Sequence, residues 1–154
     1  MNLQPLRTPQ QGFSLMEVLV TVLVLAIGLL GLASLQLNAL RNSTSAYERS
    51  QATILAYEIV DRMRTNRTAA RAGAYDIALE EDAGAADCIG ATCSPDELAV
   101  FDVAQWKGDV ARLLPAGDAA VATNAGVVTV TIQWTDDRAT AGAAPVAFTM
   151  STVL

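Results

Sequence analysis

The feature that most constrains this chain is an unbroken apolar run, Phe13 to Leu35, inside the stretch GFSLMEVLVTVLVLAIGLLGLASLQ. As a helix rising about 1.5 Å per residue, its 23 residues span roughly 34 Å, enough for the hydrocarbon core of a bilayer. The run is too long for the apolar region of a secretory signal, and the small residue Gly12 sits before it rather than after. It reads as a membrane helix. Its only charge is Glu17. An ionised carboxylate in a bilayer costs about 2.5–3.5 kcal/mol on insertion scales, so it persists with a partner or a function.

Two readings of Glu17 stand side by side. In an uncut chain it lies only four residues into the run and reaches headgroup water. Alternatively, cleavage after Gly12 creates a new α-amino group on Phe13, and the amine of one subunit neutralises Glu17 of the next. Such a pair fixes register, because a misaligned subunit leaves both charges unpaired in a low dielectric. Residues 1–12, MNLQPLRTPQQG, are short and polar and do not read as folded structure. Arg7 and the initiator amine favour an N-in, C-out topology.

No proline interrupts the chain between Pro9 and Pro95. From Gln36 to about Arg71 it is rich in helix formers and turns amphipathic. Leu37, Leu40, Tyr47, Ile54 and Leu55 fall within about 100° on a helical wheel, the width of one buried stripe. The expectation is one continuous helix of nearly 60 residues, on the order of 85–90 Å long, with Gly28 and Gly31 as weak points in its first half.

Residues 72–94 are small and acidic and read as a loop. Cys88 and Cys93 stand within it, four residues between them. Without histidine, and with only these two thiols, a zinc site lacks ligands, and the spacing is wrong for a C-x-x-C redox pair. A short disulfide loop in an oxidising compartment is the favoured reading, two free thiols the other. Ser94, Pro95 and Glu97 compose a helix start with a capping box. That helix is expected to reach about Leu114, with Val103, Trp106, Val110 and Leu113 on its inner side, and to end at Pro115 and Gly117. The period then changes to two. Val128, Val130, Ile132 and Trp134 face one way, and Asn124–Gly126 turns a hairpin from Ala119–Thr123. A last alternating run, Val146 to Leu154, sets Val146, Phe148 and Met150 on one side after the polar connection DDRATAGAAP. The fold class is therefore α+β: a long N-terminal helix, one further helix, and a small antiparallel sheet.

Charge narrows the functions. Six arginines between Arg41 and Arg71 face only Glu48, Glu58 and Asp61, whereas twelve acids from Asp76 onward face Lys107, Arg112 and Arg138. An acidic second half argues against general nucleic-acid binding. The arginines decorate a solvated or partner-facing helix side, with a nucleic-acid patch as the other reading. No enzyme constellation is present: there is no histidine base, no G-x-S-x-G elbow and no G-x-x-x-x-G-K loop. Glu80–Glu81 and Asp136–Asp137 read as solvated acids before cation ligands. Asn42-Ser43-Thr44 and Asn66-Arg67-Thr68 match a glycosylation sequon but fall on the expected helix.

Gly12-Phe13-Ser14-Leu15-Met16-Glu17 resembles the class III signal of type IV pilins and type II secretion pseudopilins: a short basic leader, G-F-[ST]-x-x-E, then an uncharged run. Met16 departs slightly from the usual Leu or Ile but stays apolar. The resemblance implies cleavage after Gly12 by prepilin peptidase, N-methylation of Phe13, and an assembly role for Glu17. It divides the chain into a leader (1–12), a transmembrane and assembly helix (13–35) and a periplasmic α+β part (36–154). The segments AYEIVDRMRTN and CSPDELAVFDVAQWKGDVARLLPAG, with the run after Glu17, are similar to the PilV group of minor pilins. Major pilins usually bound a C-terminal loop with their disulfide; here the cysteine pair is mid-chain. The group implies a non-enzymatic subunit in the inner membrane that primes or modifies type IV pilus assembly. Its partners would be prepilin peptidase, other major and minor pilins and the assembly platform, with no cofactor and no nucleic acid. A type II secretion pseudopilin is the nearest alternative, and an anchored periplasmic ligand-binding module is one of a different class. A membrane-tethered enzyme is disfavoured by the missing constellations.

Overall fold

The computed structural model describes residues 12–136 and 144–154. The leader ahead of Gly12, and Asp137 with most of the DDRATAGAAP connection, lie outside the described residues. Three helices precede three strands: α1 (Leu15–Thr65), α2 (Arg67–Arg71), α3 (Pro95–Leu113), β1 (Asp118–Asn124), β2 (Val127–Trp134) and β3 (Val146–Val153). Two compact units divide between Leu40 and Arg41.

In the first unit the apolar run forms the opening turns of α1 and continues through Gly28 and Gly31. Every described residue up to Leu40 is exposed, and an 18-residue window of this helix has a mean hydropathy of 2.7. A stripe is absent because the apolar residues surround the axis on all sides, the pattern of a helix meant for lipid or for other helices.

In the second unit α1 buries Ser45, Glu48, Ala52, Leu55, Ala56, Ile59, Val60 and Met63, spaced three and four apart. This corrects the expected stripe. Of its five members only Leu55 is buried; Leu37, Leu40, Tyr47 and Ile54 are each more than half exposed. The inward face starts with polar side chains and small alanines, so hydrophobicity on the wheel points to the wrong side. The alanines are fully buried, and the polar residues are bonded rather than solvated.

The expected helix to Arg71 is also interrupted. α1 ends at Thr65, and Asn66 (φ −112°, ψ 50°) leaves helical geometry before the single turn of α2. Asn66 is almost buried, and its Nδ2 donates to Pro95 O (2.6 Å) and to Tyr75 Oη (3.3 Å). A side chain that satisfies groups on two other segments competes with helical continuation.

α3 starts as the sequence demands. Ser94 Oγ accepts from Glu97 N (3.3 Å) and Glu97 Oε2 accepts from Ser94 N (2.8 Å), the two halves of a capping box, with Pro95 at the first helical position. Val103, Trp106 and Val110 are buried. Leu113 is not: the backbone turns extended at Leu114, which swings into the core in its place at 2 % exposure. Gly117 is required here, because a Cβ would lie 2.5 Å from Val110 O.

The sheet is antiparallel throughout, in the order β1-β2-β3. Ala125 and Gly126 join β1 to β2 with φ of +48° and +82°, the two positive values that a two-residue hairpin of matching twist needs. Val128, Val130, Ile132 and Trp134 all face the core. On β3 the alternation holds, but Val146, Phe148 and Met150 are only half-buried against that core. The 72–94 segment is more structured than a loop. Ile77 and Val121 exchange both backbone hydrogen bonds (2.9 and 3.0 Å), covering part of the outer edge of β1. Lys107 pins the same segment, donating to Ala78 O and Glu81 O (3.3 and 2.7 Å) and pairing with Asp118 at 3.0 Å.

Candidate functional site

At the head of α1 stand Gly12, Phe13 and Glu17, the residues expected from the sequence to serve cleavage and assembly. Gly12, Phe13 and Ser14 are non-helical and exposed, so the Gly12–Phe13 peptide bond lies in accessible chain just ahead of the helix. A Cβ at Gly12 would meet nothing within 4 Å. The helix starts because Ser14 supplies its cap. Ser14 Oγ accepts from Met16 N (3.2 Å), and Ser14 O accepts from Glu17 N (3.0 Å) and Val18 N (3.2 Å).

Glu17 therefore sits in the first turn, where unpaired N–H groups make the helix end partly positive and favour a carboxylate. Thr21 Oγ1 donates to Glu17 O at 2.6 Å, which satisfies that hydroxyl within the apolar run. Phe13, Glu17, Val18, Thr21 and Val22 line one shallow depression. Phe13 and Glu17 thus share one flank of the helix head, with Phe13 86 % exposed. Chemically, the arrangement offers a carboxylate one turn from the nitrogen that a cut after Gly12 would release.

The second unit contains bonded polar networks. Trp134 Nε1 donates to Glu48 Oε2 (3.0 Å), Ser45 Oγ to Asp136 Oδ2 (2.9 Å), and Trp106 Nε1 to Leu55 O (2.9 Å). Asp102 gathers Tyr75 Oη (2.7 Å) and Arg62 Nη1 (3.3 Å), while Arg62 Nη2 reaches Glu58 at 2.7 Å. Burial, reinforced by the bond to Asp102, pushes the Tyr75 hydroxyl well above the ordinary tyrosine range. Burial works against the Arg62 charge, but Glu58 and Asp102 outweigh it and hold the guanidinium protonated. Glu97 is held below the usual carboxylate range by the backbone N–H and then the hydroxyl of Ser94. Burial opposes ionisation of Asp118, and the Glu80 N–H with Lys107 more than offsets it, so its acidity increases.

Cys88 and Cys93 are joined in a disulfide, with Cα atoms 5.5 Å apart. Asp136 is buried rather than a solvated acid, and Asn66 of the second sequon is equally enclosed. Glu81 is spent on the Ala78 N–H at 2.8 Å. Among the described residues no group of three or more histidine, cysteine or acidic side chains is placed to hold a metal. Sequence reasoning missed the inward roles of Ser45, Glu48 and Asp102. Their one signal was position, since each falls in step with buried apolar residues three or four places away.

A membrane-length helix with GFSLME at its head, followed by a small α+β unit, is a pilin-like fold. Two family models match the chain: the type IV pilin Tt1218 over residues 34–104, and the prokaryotic N-terminal methylation motif over residues 7–33. No curated protein and no solved structure matches it. Over these residues the chain is similar to type IV pilins and carries the methylation motif of the class III signal. Type IV pilins are structural subunits, and the motif with the apolar helix fits anchoring in the inner membrane beside a periplasmic part.

Proposed function

We propose that the chain is a minor pilin of the PilV type, which primes or modifies type IV pilus assembly. In this reading prepilin peptidase removes residues 1–12 on the cytoplasmic side and methylates Phe13. Residues 13–35 hold the subunit in the inner membrane, and residues 36–154 fold in the periplasm. Glu17 then guides docking, because its carboxylate and the Phe13 amine of a neighbour compensate each other where neither is hydrated. The observation that carries the proposal is the pairing of Phe13 with Glu17 on one flank of a capped helix head behind an exposed Gly12–Phe13 bond. The disulfide, set between α2 and α3 ahead of the whole sheet, supports the minor-pilin assignment over a major pilin.

The test is Glu17→Ala in the full chain. Membrane insertion and leader removal stay intact, and incorporation into pili falls sharply. Mass spectrometry of wild-type subunits finds Phe13 as a methylated N-terminus. Normal incorporation of the variant, or residues 1–12 still present on subunits within filaments, removes the assembly role. Recovery only from a secretion pseudopilus assigns the subunit to type II secretion instead.

A further inference from the structure

Residues 76–84 lie across the outer edge of β1, and apolar packing is not what holds them there. Only Ile77 among them is buried, and Ala83 packs partly against the core. A cleft lined by Ile77, Ala83, Val100 and Val103 lies between the segment and α3, where close contacts are lost. The fastening is polar. Ile77 and Val121 exchange backbone bonds, Glu80 N donates to Asp118 Oδ2, and Lys107 Nζ donates to Ala78 O and Glu81 O. Lys107 is the only lysine in the chain, and its side chain is 13 % exposed. Its third partner is Asp118 at 3.0 Å, the carboxylate that also holds Glu80. One ammonium thus fills its three donor positions and ties the segment at Ala78 and Glu81 directly, and at Glu80 through Asp118. The two ends of the segment differ. Tyr75, just ahead of it, is fully buried and donates to Asp102 at 2.7 Å. From Gly84 to Ser94 no residue is buried, and the Cys88–Cys93 disulfide closes a loop within that stretch.

We propose that residues 76–84 are a strap that opens and closes over the β1 edge as one unit, hinged behind Tyr75 and clasped by the Lys107 ammonium. A segment with one buried side chain and a few bridging bonds belongs to the low-stability end of a fold and opens without the rest. Closed, it pairs with the N–H and C=O of Val121, at the centre of an edge that would otherwise be open to another strand. Opening turns a guarded edge into a pairing edge, and the clasp sets how often that happens. The device is independent of leader cleavage and of the role of Glu17.

Hydrogen exchange of the detergent-solubilised full chain reads the strap directly, because the Ile77 and Val121 amides bond to each other's carbonyls across it. Lys107→Met keeps the length of the side chain and removes its charge. The expected result is exchange at Ile77 and Val121 roughly tenfold to a hundredfold faster, with Val130 in the middle strand unchanged. Arg112→Met, which breaks an ion pair with Asp109 on the same helix, changes none of the three. Unchanged exchange at Ile77 and Val121 in Lys107→Met overturns the clasp. Equal acceleration at Val130 overturns the independent strap. The unaltered chain gives a second reading, since an acetyl succinimidyl ester modifies an amine only when it is free of its partners. Lys107 should be acetylated far more slowly than free lysine, and the acetylated chain should show the same fast exchange at Ile77; acetylation at the rate of free lysine, or without effect on Ile77, overturns the proposal.

Discussion

The two stretches of α1 are built by opposite rules. Up to Leu40 the helix is apolar on every side and buries nothing; beyond Arg41 it is mixed in composition and buries a defined face. In the first stretch, hydropathy alone identifies the element, because a lipid-facing helix needs only length and the absence of charge. In the second, hydropathy misleads. The buried face contains Ser45, Glu48, Ala52 and Ala56, while Tyr47, Ile54 and Tyr57 face outward. What decides inside from outside there is partnership: polar residues face inward where a partner atom waits, as Glu48 meets Trp134 and Ser45 meets Asp136.

The largest test of that contrast is Trp106→Ala. It removes a fully buried ring and its bond to Leu55 O, and should destabilise the second unit by about 3–5 kcal/mol, read as a shifted denaturant midpoint of the detergent-solubilised chain. Ala56→Leu comes next. An alanine at 0 % exposure has no room for three more carbons, so overpacking costs about 1–3 kcal/mol, although the change raises helix-face hydrophobicity. A gain in stability from this variant would break the comparison.

The third test is pH. The folded state lowers the pKa of Asp118, so its contribution is present above the unfolded value, near 4, and is lost as pH falls through the folded one. Tyr75 behaves in the mirror sense: its raised value stabilises the neutral hydroxyl, and stability drops as pH rises above about 10. Tyr75→Phe should flatten the alkaline limb, and Lys107→Ala the acid limb, in melting profiles across pH. The smallest expected effect is the most discriminating. Tyr47→Ser and Ile54→Ser, on the face that the wheel marks as core, should each change stability by less than about 0.5 kcal/mol.

Much of the architecture was legible in the residues. The Ser94–Glu97 capping box, the alternation Val128–Val130–Ile132–Trp134 and the turn at Gly126 are local signals with one structural solution each, and all three stand where they were read. The break at Asn66 and the Ile77–Val121 bridge were not legible, because each depends on groups far away in the chain: Pro95 and Tyr75 for one, β1 for the other. Leu113 and Leu114 exchanged roles because a helix end turns a residue by its own backbone angles, which periodicity does not carry. At the head of α1 the motif named Gly12, Phe13 and Glu17. The cap from Ser14 and the hydroxyl bond from Thr21 needed coordinates.

Trp106 reaches from α3 to a carbonyl in the middle of α1, and that single bond sets a mechanical limit. Sliding α1 along its axis by two residues, about 3 Å, would carry Leu55 O out of reach of the indole. A load along α1 is thus met in shear at that bond rather than by peeling one contact at a time.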